Sequence, residues 1–465
     1  MTQQVSSPPE KTEQQPISQS LPSGQEPRFS RPVIIIWLAV LGILLLLFTG
    51  QAVRYLPELM KSPLKSIVPA PYVADIVPDS GPNILQIPGQ SSQPSIHLPG
   101  GHYVVYEQQN TISVIPIPNN QPRVLNTPGY IYNRSVSPLL TPDGQLLYSG
   151  DGLWLTSISG DRPQQIASLP ANQVITSLAL SRDGTSVAWS TEPLSGAGDV
   201  TIYAGSLKKS VPVYQHSVSD CPCFRVFSFL QGAGKNANAT LLLADDRGNH
   251  RAVQYGLWSL NLAQNPLPAP RQLLSSTQTA GPQMLAPDGN TLLYSSYEGF
   301  AATAADTSAP LDTTSLTYAN SLDIATLSAN TPGLSTTQVI LPEQHELSDS
   351  AAYRWVTTPR FSPDGHTLLY VEFSNDAYPP YSRHSALYRV KITGSGAHLT
   401  IGAPQLVATT PAYFIELGAW LNQHVIIFYA DGAIYAFDTQ NGAYKQLIKT
   451  SVYTRIAAVG SQGLP

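Results

Sequence analysis

Residues 361–372 read FSPDGHTLLYVE: an acid beside a glycine, then a histidine, then an apolar run. Asp364 and His366 are either a catalytic or metal-binding pair or the corner of a hairpin, and the rest of the chain decides between them. Residues 141–150 read TPDGQLLYSG, residues 181–190 SRDGTSVAWS and residues 286–295 APDGNTLLYS; a fainter copy, PGGHYVVYE, starts at Pro99. The position after the glycine is occupied by His, Gln, Thr, Asn and again His. A group needed for chemistry would not change so freely between copies, so His366 is read as a solvated turn residue. Proline presets φ, Asp bonds back to the backbone, and Gly accepts positive φ. An Asp-Gly between two strand-like runs is a hairpin signal, and the Leu-Leu-Tyr that follows suits a buried strand.

Self-similarity at intervals of tens of residues points to stacked β-units. After each hairpin comes a second strand pair, opened by ISVIPIP (112–118), LWLTSIS (153–159), IYAGSLK (202–208), LWSLNLA (257–263), LYRVKIT (387–393) or IYAFDTQ (434–440). The tally is seven units, about 96–126, 131–169, 175–215, 219–275, 281–341, 355–408 and 414–448. Units four and seven lack the Asp-Gly and carry longer or Asn-based turns in its place. YTRIAAVG (453–460) is left over, able to complete the first unit and close a ring. The sequence thus predicts an all-β fold, a β-propeller of seven four-stranded blades, with six or eight also compatible. Radial closure would leave only short, protected sheet edges.

Composition agrees. Charged residues are 12% of the chain, about half the globular average, while Pro (41), Gly (33) and Tyr (23) are plentiful. With 25 basic and 30 acidic residues, a net charge of -5 and no basic stripe, a nucleic-acid partner is not expected. Cys221 and Cys223, in DCPCF, are too close and too few for a zinc site. Two thiols or a strained local disulfide both fit.

Ahead of the repeats, residues 33–50, VIIIWLAVLGILLLLFTG, carry no charge. At 1.5 Å per residue they would span roughly 27 Å, close to the hydrocarbon thickness of a bilayer. The expected domains are a disordered Gln/Ser/Pro-rich tail (1–32), a transmembrane helix (33–50), a Pro-rich stalk (51–94) and the propeller (95–465). Arg28 and Arg31 precede the helix and Arg54, Lys61 and Lys65 follow it, so the positive-inside count does not favour an inward N-terminus. The propeller is nevertheless expected outside the cytoplasm, as a large β-domain behind a single N-terminal span. The apolar run exceeds a usual signal-peptide core, which favours an anchor over cleavage near Gly50-Gln51-Ala52.

FSPDG, an apolar-aromatic strand and then (Leu/Ile)-(Tyr/Trp)-x-x-(apolar) resemble the WD40-like propeller repeats of TolB, which also occur in relatives of prolyl oligopeptidase. The resemblance covers residues 95–460, with four good copies and three degraded ones. It implies the fold and leaves function open, since such repeats scaffold binding proteins and enzymes alike.

Catalytic signatures are scarce. G-x-S-x-G is absent, and His345-Glu346 is followed by LSDS rather than completing H-E-x-x-H. Gly232-Ala233-Gly234-Lys235 lacks the P-loop frame. Asp245-Asp246 is read as a solvated loop, because adjacent carboxylates point different ways. No cofactor and no metal are expected. In a four-stranded blade the Asp-Gly turn joins strands A and B, so the variable gaps join B to C at the other face. The enlarged gaps, 190–200, 244–255, 295–318 and 372–386, therefore crowd one face of units three to six. Their aromatic and charged members, Arg247, His250, Arg251, Tyr297, Glu298, Tyr378, Tyr381, Arg383 and His384, are the candidate binding residues for a protein or envelope polysaccharide. The alternative is an enzyme of lyase, glycosidase or quinoprotein type with its site in the central channel, toward which Arg360 is the main polar contribution.

Overall fold

The computed structural model describes residues 84–461, apart from 93, 120, 134–135, 160, 196, 220–221, 231–238, 246–253, 276–279, 282, 296–320, 329–332, 344–352, 376–382, 395, 413–414 and 452–453. The tail, the apolar stretch 33–50 and most of the stalk lie outside these residues. Among the described residues no helix is long and apolar enough to cross a membrane.

Seven antiparallel sheets form the blades, each with four main strands A to D from the axis outward; in blades IV and VI a further two-residue strand also pairs with strand C. Blade I is Thr454–Ser461, His102–Gln108, Thr111–Ile117 and Arg123–Val124. Blade II is Leu139–Leu140, Gln145–Ser149, Gly152–Ser157 and Gln164–Ser168. Blade III is Gln173–Leu180, Ser186–Pro193, Asp199–Ser206 and Lys209–Ser217. Blade IV is Phe224–Leu230, Thr240–Asp245, Gln254–Asn261 and Arg271–Leu274. Blade V is Met284–Leu285, Thr291–Tyr294, Leu322–Leu327 and Leu334–Leu341. Blade VI is Tyr353–Phe361, Thr367–Asn375, Arg383–Thr393 and Gln405–Thr410. Blade VII is Ile415–Trp420, Val425–Ala430, Ala433–Asp438 and Tyr444–Lys449. The leftover C-terminal strand is strand A of blade I and closes the ring. Pro99-Gly100-Gly101 is accordingly not a hairpin: it leads into strand B of a blade whose strand A comes from the other end of the chain.

The apolar run after each turn has a packing reason. A strand B lies between two neighbouring blades, so both of its faces are buried and both alternating sets of side chains must be apolar. In blade VI, Leu368 and Tyr370 join the core shared with blade V, while Leu369, Val371 and Phe373 join the core shared with blade VII. Seven such clusters lie along the seven seams.

The turns repeat atom by atom. Ser362 Oγ donates to Asp364 Oδ1 (2.6 Å), which also accepts from the His366 N–H (3.0 Å), and Ser362 Oγ accepts from Thr367 N (2.9 Å). Ser181 and Asp183 make the same bonds in blade III. In blade V, Ala286 has no hydroxyl, and Thr291 Oγ1 serves Asp288 instead (2.6 Å). In blade VII, Asn422 Oδ1 accepts from His424 N and Val425 N, both at 2.8 Å, so Asn does the work of Asp as expected. His366 is exposed at this corner. Gly365 has φ +75°, and a Cβ there would make only an ordinary contact with Pro287 Cδ at 3.7 Å, so strain in the backbone alone opposes a side chain. Gly365→Ala should lower unfolding free energy by about 1–2 kcal/mol, read from urea denaturation.

Residues Ile84–Gln90, assigned by sequence to the stalk, pack on the outer edge of the ring. Ile84 and Leu85 are buried in the seam between blades VI and VII. Gln86 exchanges backbone hydrogen bonds with Thr409, in strand D of blade VI (2.8 and 2.9 Å), and Gln90 Nε2 donates to Asn441 O at 2.6 Å.

Candidate functional site

Antiparallel order puts A–B and C–D turns at one end of every blade and B–C and D–A connections at the other. Strand ends define each B–C connection: residues 109–110 in blade I, 150–151 in II and 431–432 in VII, against 194–198 in III, 246–253 in IV, 295–321 in V and 376–382 in VI. Half the rim is cut to two-residue hairpins, and four successive blades build up the other half. Of the candidate binding residues, Arg247, His250, Arg251, Tyr297, Glu298, Tyr378 and Tyr381 lie outside the described residues.

The other two are corrected from loop to strand. Arg383 and His384 belong to strand C of blade VI, opposite Asn375 and Ser374. Strands B and C run beyond the apolar part of the blade, where neighbouring blades no longer cover both faces and polar residues are tolerated; His384 is exposed there. Asp245 is also corrected: far from being solvated, it is buried and accepts the Cys223 N–H at 3.0 Å. Cys223 is buried with its Sγ 3.7 Å from Val218 O, while Cys221 and Asp246 lie outside the described residues.

The second region is the axis. Strands A of three successive blades each bring one charged residue to it: Arg360 (VI), Glu416 (VII) and Arg455 (I). Sequence reading found the first and missed the other two, whose signal is a single charge inside an apolar strand, FIELGAW and TRIAAVG. Strand A carries a bulge in blades I, III, IV, VI and VII, and in VI and VII it falls beside these charges, between Thr357 and Arg360 and between Leu417 and Trp420. A bulge re-aims side chains that regular alternation would send into a seam.

Arg360 is half-buried and held by carbonyls: Nε donates to Gly418 O of the next blade (2.5 Å) and Nη1 to Pro359 O (2.9 Å). Arg455 is tied to fully buried Glu107 (Nε to Oε2, 2.5 Å) and to Asn133 O and Val136 O through Nη2 (3.0 and 2.9 Å). Tyr130 donates to the other Glu107 oxygen, and the Arg455 guanidinium lies over the Tyr132 ring at 5.3 Å. Glu416 is half-buried and, among the described residues, accepts no hydrogen bond and makes no ion pair.

Burial pushes the Glu416 carboxyl above the usual carboxylate range; Arg360 and Arg455 oppose the shift, and Glu107 adds to it. A raised folded-state value means that stability is greatest below the unfolded-chain value and is lost as pH rises through the folded one. Glu416→Gln should therefore lose less stability than the parent as pH rises above the ordinary carboxylate range, read as the shift in urea midpoint.

Below this cluster, toward the A–B turns, the channel opens into a cavity of about 780 Å³. Its wall mixes apolar side chains, including Leu140, Leu178, Phe227 and Trp420, with polar ones, among them Thr141, Ser181, Ser228, His102 and Arg182. Among the described residues no three His, Cys, Asp or Glu side chains gather as a metal ion would require.

No family model and no curated protein matches the chain in sequence. Some solved structures are similar to the chain. The periplasmic gluconolactonase of Pseudomonas aeruginosa is 13% identical, with a TM-score of 0.48 over 78% of this chain and 100% of that one. A functionally unknown protein from Desulfotomaculum acetoxidans is 13% identical, with a TM-score of 0.47 over 77% of this chain and 99% of that one. A putative TolB from Agrobacterium tumefaciens is 14% identical, with a TM-score of 0.34 over 77% and 99%.

Proposed function

We propose that this chain is a non-catalytic binding propeller, tethered to a membrane by residues 33–50, with the ring outside the cytoplasm. Its partner, a protein or an envelope polysaccharide, docks on the built-up half of the B–C rim. One observation supports this reading: the B–C connections exceed two residues in four adjacent blades, III to VI, and are cut to two residues in the other three. A rigid scaffold that displays loops together on one side is the usual platform for recognition. The candidate residues in those connections combine Tyr and Arg, the side chains that dominate contact energies.

The test uses the full-length protein in detergent, with the connections of blades IV, V and VI shortened to two-residue Asp-Gly hairpins like those of blades I, II and VII. Capture from envelope extracts and binding to a glycan array are compared with the parent. Shortening should weaken binding at least tenfold while leaving the thermal midpoint within a few degrees. Undiminished binding by the variant with all three shortened would place the partner elsewhere. Protease added to intact cells should cut these connections if the ring is outside, and spare them if it is not.

A further inference from the structure

We propose that the cavity at the A–B end of the channel binds a small organic carboxylate with a flat, partly polar body, its charge held at the mouth by Arg182, His102 and the Tyr103 hydroxyl. The inference is independent of the B–C-face reading and concerns the opposite end of the ring.

The cavity forms where the innermost strands leave room. Strand A of blade II has two residues, against eight in blades I and III and seven in blade IV. Tyr103, on the second strand of blade I, packs in the seam between blades I and II and joins the wall there. Its side chain is 2% exposed, and its Oη lies beside two glycines of the wall: a Cβ on Gly460 would sit 2.4 Å from it, and one on Gly144 3.5 Å. Among the described residues this hydroxyl makes no hydrogen bond, whereas a buried tyrosine O–H usually finds a partner. Burial raises its pKa, so it stays a donor.

The charged side chains select what meets it. Among the described residues no Asp or Glu lines the cavity, while His102, first in strand B of blade I, and Arg182, in the A–B corner of blade III, both do. The acids next to the wall, Asp143 and Asp183, turn onto their own corners, where they accept from the hydroxyls of Thr141 and of Ser181 and Thr185. The mouth thus offers donors and positive charge with no carboxylate in its lining, which suits an anion, and a guanidinium fork matches a carboxylate best. Phe227 and Trp420 add aromatic faces and Ser228 a hydroxyl, so the body that fits is flat and partly polar. The volume, about 780 Å³, falls within the usual range of small-molecule sites, roughly 300–1,000 Å³.

The experiment is calorimetric titration of the full-length protein in detergent with 4-hydroxycinnamate and 6-hydroxy-2-naphthoate, each against its primary carboxamide, which keeps the shape and loses the charge. At least one acid should bind below millimolar concentration and about tenfold or more tightly than its amide. Arg182→Gln, at an exposed corner, should remove most of that preference. Tyr103→Phe, which deletes only the hydroxyl, should weaken binding of the acid at least about fivefold. A thermal midpoint within a few degrees of the parent shows that either variant is folded. Three results would overturn the proposal: no binding of either acid at millimolar concentration, amides that bind as well as the acids, or undiminished acid binding in folded Arg182→Gln or folded Tyr103→Phe.

Discussion

A chain cut after residue 453 should not fold cooperatively: its thermal scan should lack a sigmoidal transition, and most of the expressed protein should be insoluble. The reason lies in how the ring is closed. Strand A of blade I, Thr454–Ser461, pairs with His102–Gln108 through seven residue pairs. Without it, strand B of blade I becomes an open inner edge facing the channel, with a row of unpaired N–H and C=O groups. Each lost backbone bond is worth about 0.5–1.5 kcal/mol net. Ile456, buried in the seam between blades VII and I, adds about 2 kcal/mol of apolar burial. Together these losses rival the whole net stability of a typical domain, about 5–15 kcal/mol. The seam also has no slack. A Cβ on Gly418 would lie 2.6 Å from Ile456 Cβ, and one on Gly460 would lie 2.4 Å from the Tyr103 ring, so the strand fits only because glycines let it approach. Supplying residues 453–461 as a peptide in trans should restore part of the soluble, cooperative fraction. A truncated chain that melts like the parent would show that the ring is held by its seams alone.

That closure was readable from the sequence because it is a counting problem. Four Asp-Gly corners set the repeat, each implies a strand before and after it, and one apolar stretch is left without a blade. Turn chemistry is local, so SPDG and APDG carry their meaning within five residues. The functional residues are of another kind. Glu107 and Arg455 are 348 positions apart, and their pairing exists only once the ring has closed. Glu416 reads as a stray acid in an apolar strand until the bulge of its own strand and the reach of Arg360 from the previous blade place both at the axis. Arg383 and His384 show the opposite error. They fell in the enlarged gap 372–386, but pairing with Asn375 and Ser374 carries the hairpin of blade VI past its apolar section. Polarity marks where neighbouring blades stop covering a strand, and it is a poor guide to where the strand itself stops.

The charge pair at the closure gives the second large effect. Replacing Arg455 by Met should cost about 3–5 kcal/mol, because it strands Glu107, fully buried, without its counter-charge. The loss would exceed that of an exposed pair, which is usually below about 1 kcal/mol. Arg455 also satisfies the carbonyls of Asn133 and Val136, in the link between blades I and II, so the change loosens two blades and not just one strand. Glu107→Gln should be milder. The amide keeps a carbonyl for the Tyr130 hydroxyl and leaves Arg455 with both backbone acceptors and the Tyr132 ring. Pairing Arg455→Met with Glu107→Leu should then recover much of the loss, since removing both charges leaves no uncompensated ion, although Tyr130 gives up its acceptor. Urea unfolding of the two single variants and the double one gives the coupling energy directly, and contacting charges should show a clear departure from additivity. Additive losses in the double variant would mean that the pair merely fills space at the seam and does not lock it.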